Sequence, residues 1–131
     1  MPTFLEFWII DKQGIALFHE KKDKTVESIN KNLFSGFVSA MVDVINVSSS
    51  EDVETIKFKD TKLIMTSTNV YEKLLFIART NKREKDRQVR RDLIRLSKAF
   101  LDEFSEDLAN WVGDMDAFVN FSKTLDPYFD R

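Results

Sequence analysis

Residues 4–10 read FLEFWII, seven positions at which every side chain except Glu6 is apolar. Successive side chains of a β-strand point to opposite faces, so a strand that is apolar at both odd and even positions must be covered on both sides. Residues 73–79, KLLFIAR, repeat the pattern from Leu74 to Ala78. Two such strands in one chain require a sheet held between two layers, and both strands belong in its interior.

The segments around these strands fill in the rest. DKQG (11–14) reads as a tight turn, with Asp11 at its first position and Gly14 where a positive φ is needed, and IALFHE (15–20) returns as a second strand. From Thr25 the period changes: Val26, Ile29, Leu33, Phe34, Phe37, Ala40, Met41, Val44 and Ile45 recur at three- and four-residue steps, the spacing of one apolar helical face. This helix ends at the polar loop SSSED (48–52). VETIKFK (53–59) alternates, with Ile56 and Phe58 on one side and Thr55, Lys57 and Lys59 on the other, as an edge strand does. The turn KDTK (59–62) leads into a further strand, LIMTSTNV (63–70).

The last third is helical. Val89, Leu93, Leu96, Phe100, Phe104, Leu108 and Trp111 share one face, widened by Ile94 and Leu101, and Arg87, Arg91, Arg95 and Lys98 fall opposite. Gly113 is placed to stop this helix, Asp114 or Asp116 to cap a short final helix carrying Phe118, Val119, Phe121 and Leu125, and Pro127 to end it. The order is ββαβββαα. It predicts one α/β (α+β) domain over residues 1–131: a three-layer sandwich with a five-stranded, mainly antiparallel sheet, the first helix on one face and the last two on the other.

Gly36 stands inside the first helical run, LFSGFVSAMVDVI (33–45), where a glycine costs about 1 kcal/mol relative to alanine. Its neighbours Ser35, Ser39 and Ala40 are also small. Close packing of the helix on its own sheet is the simplest account of the strip, and a contact between two copies of the helix is a second.

Composition narrows the chemistry. Of 131 residues 43% are apolar and 32% charged, with twelve phenylalanines, which is a globular composition able to bury one core. There is no cysteine, so disulfides, thiol nucleophiles and cysteine metal sites are excluded, and the expected location is cytoplasmic. The first apolar run is too short to span a bilayer. The one histidine, His19, has no HExxH or nucleophile-elbow context, and Gly14, Gly36 and Gly113 are too scattered for a phosphate-binding loop. Asp102, Glu103, Glu106 and Asp107 read as a solvated helix face. No catalytic residue, metal site or cofactor is expected.

Charge is unevenly spread. From Arg79 to Lys98 nine basic residues face three acidic ones, and from Asp102 to the end eight acidic residues face two basic ones. Lys82, Arg83 and Lys85 lie at the start of a helix, where the macrodipole favours negative charge, so local helix energetics do not explain them. Together with Arg87, Arg91 and Arg95 they are either a solvated surface or a contact for an acidic protein or anionic lipid headgroups. No aromatic residue interleaves with them to stack bases, which argues against nucleic acid.

The element order, with DKQG joining the first hairpin, LFSGFVSAM in the first helix and FLDEFSEDLANWVGDMDAFVNF at the end, resembles the longin-like family: longin domains of SNAREs, small subunits of adaptors, TRAPP subunits and, as a related neighbour, roadblock domains. The resemblance implies a sheet ordered 2-1-5-4-3 with IALFHE and VETIKFK at its edges. It also implies a non-catalytic interaction module, commonly a homo- or heterodimer, that docks small GTPases or membrane-trafficking subunits, with peripheral membrane contact as a further option. Profilin-like and PAS-like sandwiches of similar build hold small ligands between sheet and helix, which gives a sensor domain as the alternative.

Overall fold

The computed structural model describes residues 3–11, 15–22, 55–68, 74–110 and 115–129. Five strands, β1 (Phe4–Asp11), β2 (Ala16–Lys21), β3 (Thr55–Lys57), β4 (Thr61–Thr68) and β5 (Leu74–Asn81), precede α1 (Asp86–Ala109), a 3-10 helix (Met115–Phe121) and α2 (Ser122–Phe129). They form one sheet in the order β2-β1-β5-β4-β3, and every neighbouring pair is antiparallel. The two doubly apolar strands, β1 and β5, lie side by side inside it, as their burial on both faces demands. The helix expected from Thr25, with Gly36, lies outside the described residues, as do Gly14, Trp111, Gly113 and Asp114.

Asp11 closes the first hairpin twice over. Its backbone N–H donates to the Ile15 carbonyl at 2.9 Å, and its Oδ1 accepts from the Ile15 N–H, also at 2.9 Å. A short acceptor side chain at the first turn position does this readily.

Both faces of the sheet are buried. Phe7, Ile9, Ile64, Phe76 and Ala78 pack against Val89, Leu93, Leu96 and Phe100 of α1 and against Phe118, Phe121, Leu125 and Phe129. Behind them Trp8, Ile10, Leu63, Met65, Leu75 and Ile77 form a second apolar cluster. Phe100 sits at the middle of the first core, with ring centroids 5.7 Å from Phe76, 5.1 Å from Phe104, 5.4 Å from Phe118 and 5.2 Å from Phe121.

Several local expectations are corrected. β3 stops at Lys57, so Phe58 falls beyond the strand and is 41% exposed rather than inward. Ile94 is also 41% exposed: at about 100° per residue it lies well round the helix from the stripe running Val89, Leu93, Leu96, Phe100. α1 ends at Ala109, where the Asn110 side chain donates to the Glu106 carbonyl at 3.1 Å, ahead of Gly113. Phe104, at φ −116° and ψ 18°, kinks α1 near that end. Pro127 does not end the last helix but lies within its final turn, where a missing N–H removes only one terminal bond. Val119 is exposed, and burial follows the 3-4-4 spacing of Phe118, Phe121, Leu125 and Phe129 instead.

Candidate interaction surface

Two charged arrangements organise the end of the sheet where β5 runs into α1. The first is buried. Glu6 is directly opposite Arg79 across β1 and β5, its Oε1 accepts from Arg79 Nη1, and its Oε2 lies 2.9 Å from His19 Nε2. Arg79 Nε also reaches Thr61 Oγ1 at 3.4 Å, and the His19 ring stacks on Trp8 with centroids 5.1 Å apart and planes at 12°. Glu6 is fully buried and the Arg79 side chain is 13% exposed. Arg79, one of the nine cations of the basic run, is thereby withdrawn from the surface.

With both carboxylate oxygens engaged, this cluster is suited to fixing register rather than to acid-base chemistry. A slip of β1 by one residue would carry Glu6 into the aromatic core and separate it from Arg79. The sequence shows Glu6 as the one exception in an apolar strand. Only the sheet order reveals its partners.

The second arrangement supports the surface. Lys62 on β4 is buried, and its ammonium donates to the Lys82 carbonyl at 3.1 Å, to the Glu84 carbonyl and to Asp86 Oδ1. All three of its protons are used. The carbonyls of the β5–α1 loop are thus turned inward, while the side chains of Lys82, Arg83 and Lys85 are exposed. The hydrogen bond from Lys62 holds the Asp86 carboxyl below the usual carboxylate range, against the opposing effect of burial. Asp86 in the first turn also complements the helix dipole, which offsets the cations around it.

Arg87, Arg91 and Arg95 are exposed on the outer side of α1, together with Ile94 and Lys98. Of the residues marked by the sequence, Lys82, Arg83, Lys85, Arg87, Arg91 and Arg95 therefore form one continuous cationic run from loop to helix, and Gly36 lies outside the described residues. The sheet adds what the sequence reading left apart. Thr61 pairs with Asn81 and Lys57 with Lys62, so the turn holding Lys57, Phe58 and Lys59 lies beside the β5–α1 loop.

Asp92 is a second carboxylate of α1 that faces inward, and it is buried. Its Oδ1 is 3.7 Å from Arg95 Nη1, and its Oδ2 has no hydrogen-bond partner among the described residues. Burial pushes its pKa up, with Arg95 and Arg91 opposing. A group raised in the folded state contributes stability that is present below its unfolded pKa, about 3.9, and is lost as pH rises through the folded value. Asp92→Asn is therefore expected to raise the thermal midpoint at neutral pH, with a gain that shrinks towards pH ~4, measured by scanning calorimetry. Loss of stability at neutral pH would mean that the ionised Asp92 is well solvated after all.

No protein-family model matches the sequence, and no curated protein matches it. Solved structures do. Gliding protein MglB from Thermus thermophilus superposes with a TM-score of 0.50 at 10% identity, over 63% of this chain and 64% of that one. MglB from Myxococcus xanthus gives 0.54 at 15% identity, over 76% and 85%. A Roadblock/LC7 domain from Streptomyces avermitilis gives 0.47 at 11% identity, over 99% and 88%. This chain thus spans just under two thirds of the Thermus protein's length and more of the Myxococcus one. At these identities the likeness to the two MglB structures is one of fold, and it places the chain among longin-like α+β architectures.

Proposed function

We propose that the chain is a non-catalytic protein-interaction module that dimerises and docks a small GTPase or a membrane-trafficking subunit. The observation that carries this reading is the outer side of α1, where Arg87, Arg91 and Arg95 form a row beside the exposed Ile94. Arginine combines charge with planar, bidentate hydrogen bonding and is enriched at protein interfaces, and an exposed aliphatic side chain among such residues gives the contact an apolar centre. The MglB-like fold and the longin-like resemblance support the choice of partner class.

The sensor alternative draws no comparable support. The space between the sheet and α1 is occupied by tilted and edge-on rings, Phe76, Phe100, Phe104, Phe118 and Phe121.

The test is co-precipitation of the chain with small GTPases of its own genome loaded with GDP or a GTP analogue, alongside sedimentation equilibrium for its own assembly. A nucleotide-dependent complex and a dimer are expected. The triple reversal Arg87→Glu, Arg91→Glu, Arg95→Glu is expected to leave the fold intact, because these side chains lie opposite the apolar face, with a lowered thermal midpoint where Arg91 and Arg95 no longer offset Asp92, and to abolish capture. A monomer at high concentration that captures no GTPase in either state overturns the reading, and a collapse of stability in the triple variant removes the helix face from it.

A further inference from the structure

We infer that the end of the sheet formed by the β3–β4 turn and the β5–α1 loop is a docking surface for anionic lipid bilayers, with Phe58 as its inserting residue. This stands apart from the docking of a protein on the outer side of α1. Lys57, Phe58, Lys59 and Asp60 make up one segment, and Lys82, Arg83, Glu84 and Lys85 the other, so the pair carries five cations and two carboxylates, a net charge of +3. The two segments are brought together by the pairing of Thr61 with Asn81 and by the register of Lys57 with Lys62. Neighbouring strands are about 4.8 Å apart, so the segments are separated by less than or about one Debye length at physiological salt, and their fields add.

Three features select a bilayer over an acidic protein. Four of the five cations are lysines, whose flexible ammonium heads suit laterally mobile headgroups, whereas lysine is depleted at protein–protein interfaces. They come from the end of β3 with its turn and from the β5–α1 loop, at one end of the sheet, and Lys62 fixes the backbone of that loop so that Lys82, Arg83 and Lys85 project away from the core. Phe58 is exposed at the start of the turn, between Lys57 and Lys59, and its N–H donates to the Thr61 carbonyl at 2.9 Å, which closes a tight turn with Lys59 and Asp60 at its tip. An aromatic ring flanked by cations enters the headgroup boundary while the cations remain among the phosphates.

Vesicle flotation tests this directly, with phosphatidylcholine vesicles and with phosphatidylcholine vesicles containing phosphatidylserine. The protein is expected to float with the second kind only, and the association to weaken with added salt. Each cation near the surface contributes about fivefold, so Lys57→Glu with Lys59→Glu, or Lys82→Glu with Arg83→Glu, is expected to lower binding by ~25-fold or more. Arg95→Glu, about 14 Å along α1 from Asp86, should change binding by less than about twofold. In a Phe58→Trp variant, vesicles containing phosphatidylserine should shift the added fluorescence to shorter wavelength. Equal flotation with both kinds of vesicle, no flotation at all, a loss with Arg95→Glu as large as with the loop variants, or an unshifted Phe58→Trp signal would each overturn the inference. Binding to soluble polyglutamate as tight as to the vesicles, unaffected by Phe58→Ala, would overturn it in favour of an acidic protein partner.

Discussion

Phe100→Ala is expected to cost about 3 to 5 kcal/mol of folding stability, read from equilibrium denaturation in urea. Phe100 is fully buried, and four other aromatic rings lie within 5.7 Å of its centroid, contributed by β5, by the next turn of α1 and by the 3-10 helix. Truncation removes the apolar surface of one ring and also leaves a void that its neighbours cannot fill together, since Phe76 is fixed in the sheet and Phe118 and Phe121 on a separate element. Edge-to-face and tilted ring contacts add roughly 0.5 to 1.5 kcal/mol per pair beyond buried area. A loss below about 1 kcal/mol would show that α1 turns a different face to the sheet.

Arg79→Ala is the second large effect, again about 3 to 5 kcal/mol, because it leaves the carboxylate of Glu6 buried without its guanidinium partner. The same principle separates this cost from the worth of the ion pair. Glu6→Leu combined with Arg79→Met keeps the volume and removes both charges, and the double variant is expected to be much more stable than Arg79→Ala. If the double variant is as unstable as the single one, the role of Arg79 lies in its other contacts, such as that with Thr61, and not in neutralising Glu6.

Most of the sheet was legible in the sequence, because two strands apolar on both faces leave no other arrangement than an interior position for each. The stripe from Val89 to Phe104 was legible for the same reason of period. What could not be read depended on contacts between residues far apart in the chain. Glu6, His19 and Arg79 each stand out in the sequence for separate reasons, an acid in an apolar strand, a lone histidine and the first cation of a basic run, and only the strand order joins them. Lys62 looks like the last residue of a polar turn, yet it is buried because its acceptors come from residues 82–86. Phe58 fits the alternation of its strand but lies past the strand's end, and the cationic loop beside it is more than twenty residues away. The helical run around Gly36 lies outside the described residues, so the choice between packing within the chain and packing between copies is left to its variant: Gly36→Leu should unfold the protein in the first case and alter its assembly in the second.

The pairing of Glu6 with Arg79 spans 73 positions of the chain, and it sets the order in which the molecule can be built. During synthesis at about 5 to 20 residues per second, the first hairpin waits roughly 3 to 12 seconds for the strand that completes it. Through that interval β1 carries apolar side chains on both faces and an open line of backbone donors and acceptors. Contacts this far apart in sequence also slow refolding from denaturant. A second nascent copy offers a β5 of identical register, so exchange of the N-terminal hairpin between chains is the misassembly that this strand order invites.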